Sequence, residues 1–221
     1  MTFILISDLD GTLLGQHSFD FDLIKPEIIS LLDSDHLLVL ASSKTKVEIE
    51  NFFGDVDTIT NLSKNLEFYT FNNHPDPESV GRYRGKRSAQ LHKVNKEFFD
   101  SLQYGVISHL VDLSQVKQCH SRFSAYFSLL NSDDQISEIP TIHQDTDVLY
   151  AGVIYLSEKP DIHSGTCLYK KENDEFKLVH EFENVYNKMI MYDASIPHGT
   201  TKFVDDRLSI VFFVKELSVI N

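Results

Sequence analysis

In the second half of this 221-residue chain, four residues have the types and order needed to seat a metal ion beside an acidic cosubstrate: His143, Asp145, His198 and Arg207. Within "TIHQDTD", His143 and Asp145 alternate. Residues i and i+2 of an extended chain share one side, so the imidazole and the carboxylate would face one ion. His198 follows in "SIPHG", read here as a turn after a strand. Two imidazoles and a carboxylate on one face of an ion suit iron(II) and leave the opposite face open for a chelating cosubstrate and dioxygen. Arg207, nine residues beyond His198, offers a planar fork for the far carboxylate of 2-oxoglutarate, which a lysine would hold less specifically.

Each piece is weak alone. With 10 His and 20 Asp in the chain, chance yields about one His-x-Asp tripeptide. His74-Pro75-Asp76 is a second instance, and its polar, proline-centred loop marks it as a decoy. By itself His198 suits a tight turn and Arg207 a surface ion pair. What points to iron(II) is the order of all four, with strand-rich sequence between the ligands. Tyr150, Tyr155, Thr166 and Tyr169 flank this region and would either meet the cosubstrate carboxylates or pack in a β core. Asn187 would support a ligand or form a turn. Asp147 reads as a loop acid near the ion, because a fourth protein ligand would close the open face. Cys119-His120 has no second Cys/His pair at zinc spacing.

A separate set of chemical residues opens the chain. In "MTFILISDLDGTLLG" a short apolar strand delivers Asp8 and Asp10 to its carboxyl end, before a turn at Gly11. One carboxylate there would attack phosphorus or bind magnesium(II) while the other passes a proton to the leaving group. "SDLDGTLLGQHSFDF" followed by "LLVLASSKTKVEIE" resembles the first two motifs of haloacid-dehalogenase-like phosphohydrolases, in their mannosyl-3-phosphoglycerate phosphatase branch. The resemblance implies Asp8 as nucleophile, Asp10 as acid/base and Ser42 as the phosphate-holding hydroxyl. It ends near residue 46. Neither the family's lysine motif nor its late acidic motif follows in a credible context, and Asp205-Asp206 lies between strand-like segments.

The elements that must position these groups differ in the two regions. Residues 1–46 read as strand (Phe3 to Ser7), helix (Leu23 to Leu32) and strand (Leu37 to Ser42), a single βαβ unit that cannot bury its own apolar face. Then come one or two helical segments, a strand near Glu67 to Phe71, a turn-rich loop, and an amphipathic helix marked by Phe98, Phe99, Leu102, Val106, Leu110 and Leu113. From Ser121 the texture becomes short strands, "RFSAYFSLL", "VLYAGVIYL", "TCLYKK", "FKLVHEF", "NKMIMYDA" and "RLSIVFFV", which indicates an antiparallel sandwich or barrel.

Hydrophobic content of 42% and charged content of 24% are those of a globular chain. The net charge of −13 opposes general binding to nucleic acid or anionic membrane. "GRYRGKR", Gly81 to Arg87, is a local exception: four cations in seven residues, either at a pocket mouth facing an anionic substrate or on a solvated loop. The first apolar run is too short for a signal peptide or a span, and two cysteines give no disulfide framework. A cytoplasmic protein is expected.

"IHQDTD", "YAGVIYL", "SGTCLYK", "ENVYNKMIMYDASIPHG" and "RLSIVFFVKEL" resemble the compact prolyl-hydroxylase-like 2-oxoglutarate/iron(II) dioxygenases, and "VEIENFF" and "GRYRGKRS" resemble their N-terminal part. The likeness covers residues 47–221, against 1–46 for the truncated phosphatase-like fragment. It implies a mainly β fold, a double-stranded β-helix or jelly roll, preceded by the N-terminal α/β elements. It also implies His143, Asp145 and His198 as iron(II) ligands and Arg207 as the 2-oxoglutarate anchor, with Tyr155 and Thr166 as candidates beside it. The activity expected is hydroxylation of a small molecule or peptide, coupled to decarboxylation of 2-oxoglutarate by dioxygen.

Overall fold

The computed structural model describes residues 56–76, 83–131, 142–200 and 206–220, together with the backbones of two N-terminal strands. Those strands, β1 (Ile4–Asp8) and β2 (Leu37–Ala41), pair in parallel from Ile4 opposite Leu37 to Asp8 opposite Ala41. The helix expected between them lies outside the described residues, as do Asp10 and Ser42. A helix, α1 (Val56–Lys64), follows.

Ten strands and three helices are described in all. β3 (Lys86–Arg87) precedes two helices, α2 (Leu91–Val94) and α3 (Lys96–Ser108). The remaining strands are β4 (Gln118–Leu130), β5 (Tyr150–Tyr155), β6 (Thr166–Glu172), β7 (Glu175–Glu181), β8 (Met189–Asp193), β9 (His198–Thr200) and β10 (Arg207–Ile220). A five-stranded antiparallel sheet has the order β3-β4-β10-β5-β8, and a three-stranded one has the order β7-β6-β9. From β5 onward the chain passes repeatedly between the two sheets, and the result is a jelly roll, the double-stranded β-helix.

Strand alternation gives the large sheet two different faces. One carries Phe123, Ala125, Phe127, Ile154, Met189, Met191, Ile210 and Phe212, and packs against α3. α3 starts where the Asn95 side chain accepts from the Phe98 amide (3.0 Å), and it buries Phe98, Phe99, Leu102 and Val106 at helical spacing. It stops at Ser108, short of the Leu113 that the apolar pattern reaches. Ser108 Oγ donates to the Gly105 carbonyl (2.8 Å) and His109 Nδ1 lies 2.6 Å from the same oxygen, so side chains take over an acceptor that the helix would otherwise use. Leu110 and Leu113 still pack against the core from the following turns.

The other face looks toward the small sheet. Val153, Tyr155, Ile190 and Tyr192 meet Leu168, Phe182, Ala194 and Ile196 there in a second core. Toward one end this inter-sheet space opens into a cavity. Two sequence expectations are corrected upstream: no strand runs over 67–71, where Tyr69 forms only an isolated bridge to Arg87, and Phe71–Asn73 is a 3-10 turn. Both cysteines lack a disulfide. Among the described residues no helix is long and apolar enough to cross a membrane.

Candidate metal centre and its cavity

Three side chains remote in sequence converge at the mouth of the inter-sheet space. His143 and His198 exchange backbone hydrogen bonds (His143 N to His198 O, 2.9 Å; His198 N to His143 O, 2.8 Å), and the Asp145 amide donates to the Ala194 carbonyl (3.1 Å). The expectation of a strand-like His143–Asp145 segment is corrected to this single bridge followed by a loop. His198 likewise opens β9 rather than lying in a turn, with Leu168 of β6 as its partner. One ligating atom from each of His143, Asp145 and His198 lies within 4.8 Å of the others, the only such His/Cys/Asp/Glu group among the described residues.

Protonation at this group follows from its hydrogen bonds. His198 Nδ1 lies 2.8 Å from the Ile196 carbonyl, which can only accept, so Nδ1 carries a proton and Nε2 is the nitrogen turned toward the other two residues. Nε2 lies 3.4 Å from Asp145 Oδ2. Asp145 Oδ2 is buried and makes no hydrogen bond, and Asp145 Oδ1 lies 3.9 Å from His143 Nε2. Burial pushes the Asp145 carboxyl up, but His198, His143 and the Arg87 guanidinium outweigh it and hold the group below the usual carboxylate range. Two imidazoles and a partly buried carboxylate with their ligating atoms this close form a donor set that fits a cation. The Tyr192 ring lies 4.8 Å from that of His198, and burial, then the Asp145 charge, raises its phenol far above the ordinary value.

Arg207 is buried at the start of β10, its guanidinium carbon 5.1 Å from the centre of the Tyr155 ring. Arg207 donates to Thr166 Oγ1 at 3.4 Å, and Tyr155 OH donates to the same oxygen at 3.0 Å while accepting from the Thr166 amide at 3.0 Å. Arg207 Nε is buried without a partner. The structure thus brings Arg207, Tyr155 and Thr166 into one cluster, with Arg207 and Thr166 on the cavity wall. Tyr150 packs in the helix-side core, and Tyr169 lies away from the cavity, its phenol pushed up by burial to about 12. Asn187 adopts a left-handed turn (φ 65°), as does Asp147 (φ 59°), which is exposed on the cavity rim.

The cavity encloses about 620 Å³. Its large-sheet wall is the polar alternate of the apolar face: Ser124, Tyr126 and Ser128 on β4, Arg207, Ser209 and Val211 on β10. One register row runs from Arg87 on β3 through Ser128 and Ser209 to Tyr155 on β5, so Arg87 stands across two serines from the Arg207 cluster. Sequence reading left Arg87 in an undecided basic loop and passed over the serines, although the "FSAYFS" alternation already marks a polar face. Lys215, on the same wall, sits at a β-bulge, and burial, then Arg122, lowers its ammonium pKa. The His-Pro-Asp decoy is structural: His74 is buried, Nδ1 accepting from the Asp76 amide (3.1 Å) and Nε2 donating to the Ser88 carbonyl (3.0 Å).

No protein-family model matches the chain, and no curated protein matches it in sequence. Solved structures do resemble it. A bsmA homologue from Methylobium petroleophilum PM1 aligns with a TM-score of 0.51 and 10% identity, over 87% of this chain and 93% of that one. An oxidoreductase of the 2OG-Fe(II) oxygenase family from Burkholderia pseudomallei gives 0.49 and 12%, over 72% and 77%. HygX from Streptomyces hygroscopicus, solved with nickel and 2-oxoglutarate bound, gives 0.48 and 13%, over 76% and 85%. At such identities the likeness is one of fold.

Proposed function

We propose that the protein is a non-haem iron(II)/2-oxoglutarate-dependent oxygenase that hydroxylates a C–H bond. The observation that carries this reading is the convergence of His143, Asp145 and His198, with Nε2 of His198 turned toward the buried Oδ2 of Asp145 and one ligating atom from each residue within 4.8 Å of the others. These three residues would hold the ion, and two imidazole nitrogens with one carboxylate are the donor set iron(II) takes with open positions. When bound, iron(II) with 2-oxoglutarate and dioxygen supplies the oxidising power, the cosubstrate leaving as succinate and carbon dioxide.

The chain's own residues then have separable tasks. The Ile196 carbonyl fixes the His198 tautomer, so that Nε2 is the ligating atom. Arg207 pairs with the far carboxylate of 2-oxoglutarate, and Thr166 Oγ1, already accepting from Tyr155 and Arg207, keeps its proton for the same anion. Val153, Val211 and Phe213 wall the cavity with apolar surface that displaces water from the reacting centre.

The test is succinate formation from 2-oxoglutarate with iron(II), together with the visible charge-transfer band of the anaerobic complex. His143→Ala is expected to abolish both. Arg207→Gln is expected to raise the KM for 2-oxoglutarate by roughly tenfold or more while retaining metal binding. Unchanged turnover in His143→Ala overturns the assignment.

A second reading attaches to the N-terminal strands, whose parallel pairing sets Asp8 beside Ala41 at a common end, as a magnesium-dependent phosphatase would require. It calls for phosphate release from sugar phosphates that is lost in Asp8→Asn. No release across a broad ester panel with magnesium disposes of it.

A further inference from the structure

The small sheet has an open edge. β7 stands at the end of the order β7-β6-β9, and among the described residues no strand lies beyond it. Its first five residues, Glu175 to Val179, are all exposed. Phe176, Leu178 and Val179 are 43%, 54% and 41% exposed, an apolar run left in solvent on an unpaired strand. Edge strands are ordinarily blunted by bulges or by a lysine. Here the bulge comes late, Val179 being skipped between the pairs Tyr169–Leu178 and Leu168–His180, and the one lysine, Lys177, is already held by Glu172 (2.6 Å). The stretch from Glu175 to Leu178 therefore remains regular and able to pair.

The hairpin fixes which groups face outward. Asn173 and Asp174 both have positive φ (50° and 65°), as a two-residue I′ turn requires, and Glu172 pairs with Glu175 across it. The closing pair of such a hairpin exchanges both main-chain bonds, so the next residue, Phe176, turns its N–H and C=O away from β6. Alternation puts Phe176 and Leu178 on one side with Tyr169, and Glu175 and Lys177 on the other. On that charged side like stands opposite like, Glu172 against Glu175 and Lys170 against Lys177. Glu172 takes both lysines (Lys170 at 3.3 Å, Lys177 at 2.6 Å), and among the described residues Glu175 has no ion pair.

We propose that β7 pairs antiparallel with β7 of a second copy of this chain, about a two-fold axis at Phe176, so that the two small sheets join into one. The inference stands apart from the oxygenase reading, since no residue of β7 is among the described residues lining the cavity. An axis at Phe176 lets its outward N–H and C=O bond reciprocally with those of the second copy. It also sets Glu175 opposite Lys177 of that copy, twice, at positions where cross-strand side chains approach most closely. Each unpaired carboxylate gains a cation, and the two Phe176 rings meet with Leu178 on the diagonal. Moving the axis one residue to Lys177 would instead place that lysine opposite itself, so charge selects the register. The net charge of −13 makes copies repel at a distance, an effect that physiological salt screens beyond about 8 Å, while the contact row itself balances.

The test is sedimentation equilibrium of the full chain from micromolar to millimolar concentration, with amide hydrogen exchange at Phe176 followed over the same range. A reversible dimer is expected, with exchange at Phe176 slowing as the dimer fills. Lys177→Glu is expected to weaken the dimer roughly tenfold or more by setting four carboxylates along the contact row. The double variant Glu175→Lys/Lys177→Glu restores the complementary pairs and is expected to recover it, which separates the register from misfolding. A chain that stays monomeric throughout, leaving the edge to another protein's strand or to solvent, overturns the proposal. So does a dimer that Lys177→Glu leaves unchanged or that the double variant, with a wild-type far-ultraviolet spectrum, does not recover.

Discussion

Thr166 shows how much a single hydroxyl organises here. Its oxygen accepts from Tyr155, which is fully buried, and from Arg207, while its amide returns a bond to the Tyr155 phenol. Thr166→Val preserves the shape of the side chain and removes the acceptor, leaving the buried Tyr155 O–H proton without an acceptor while the phenol oxygen keeps the bond from the residue-166 amide. That substitution is expected to cost about 1–3 kcal/mol, read as a lower midpoint in urea with an unchanged slope. It is also expected to raise the KM for 2-oxoglutarate more than it lowers kcat. Burial raises the Tyr155 phenol pKa, so it stays protonated and a donor at neutral pH. At this scale sequence reading singled out His143, Asp145, His198 and Arg207 by type and order, and the first three do converge, but it could not choose between packing and binding for Tyr155 and Thr166. That choice depends on which strands lie opposite one another.

Among the elements, the six strands rich in branched and aromatic residues were legible because each runs over at least five positions. β3 and β9, with two and three residues, have no period to detect and exist only through their partners on β4 and β6. These two short strands carry Arg87 and His198, so pattern was least informative where position matters most for the site. The opening of β6 is similarly constrained. A Cβ on Gly165 would lie 1.6 Å from the Phe182 carbonyl oxygen, a backbone atom that cannot swing aside. Gly165→Ala is therefore expected to displace the entry to β6, with Thr166 next in the chain, and to cost about 1–3 kcal/mol or more. Thermal unfolding measures the loss. A melting temperature equal to wild type would show that the strand tolerates the shift.

For the whole molecule, helices and metal group lie on opposite faces of one sheet. α3 seals the side that carries Phe123, Phe127 and Phe212, while the polar alternates of the same strands line the cavity. Apolar burial stabilising the fold and polar side chains serving the site are thus assigned to alternate residues of β4 and β10, which is why cavity serines coexist with a close-packed core.

The reciprocal main-chain bonds between His143 and His198 have one more outcome. Because peptide groups rather than a bound ion tie these two ligands together, the centre is a socket: an ion can be withdrawn or exchanged while its walls remain standing. Chelation is therefore expected to leave the far-ultraviolet spectrum intact and to lower Tm only by the linkage owed to lost ligand, with full recovery on reloading. Collapse of the spectrum on adding a chelator would instead identify the ion as a keystone of the fold.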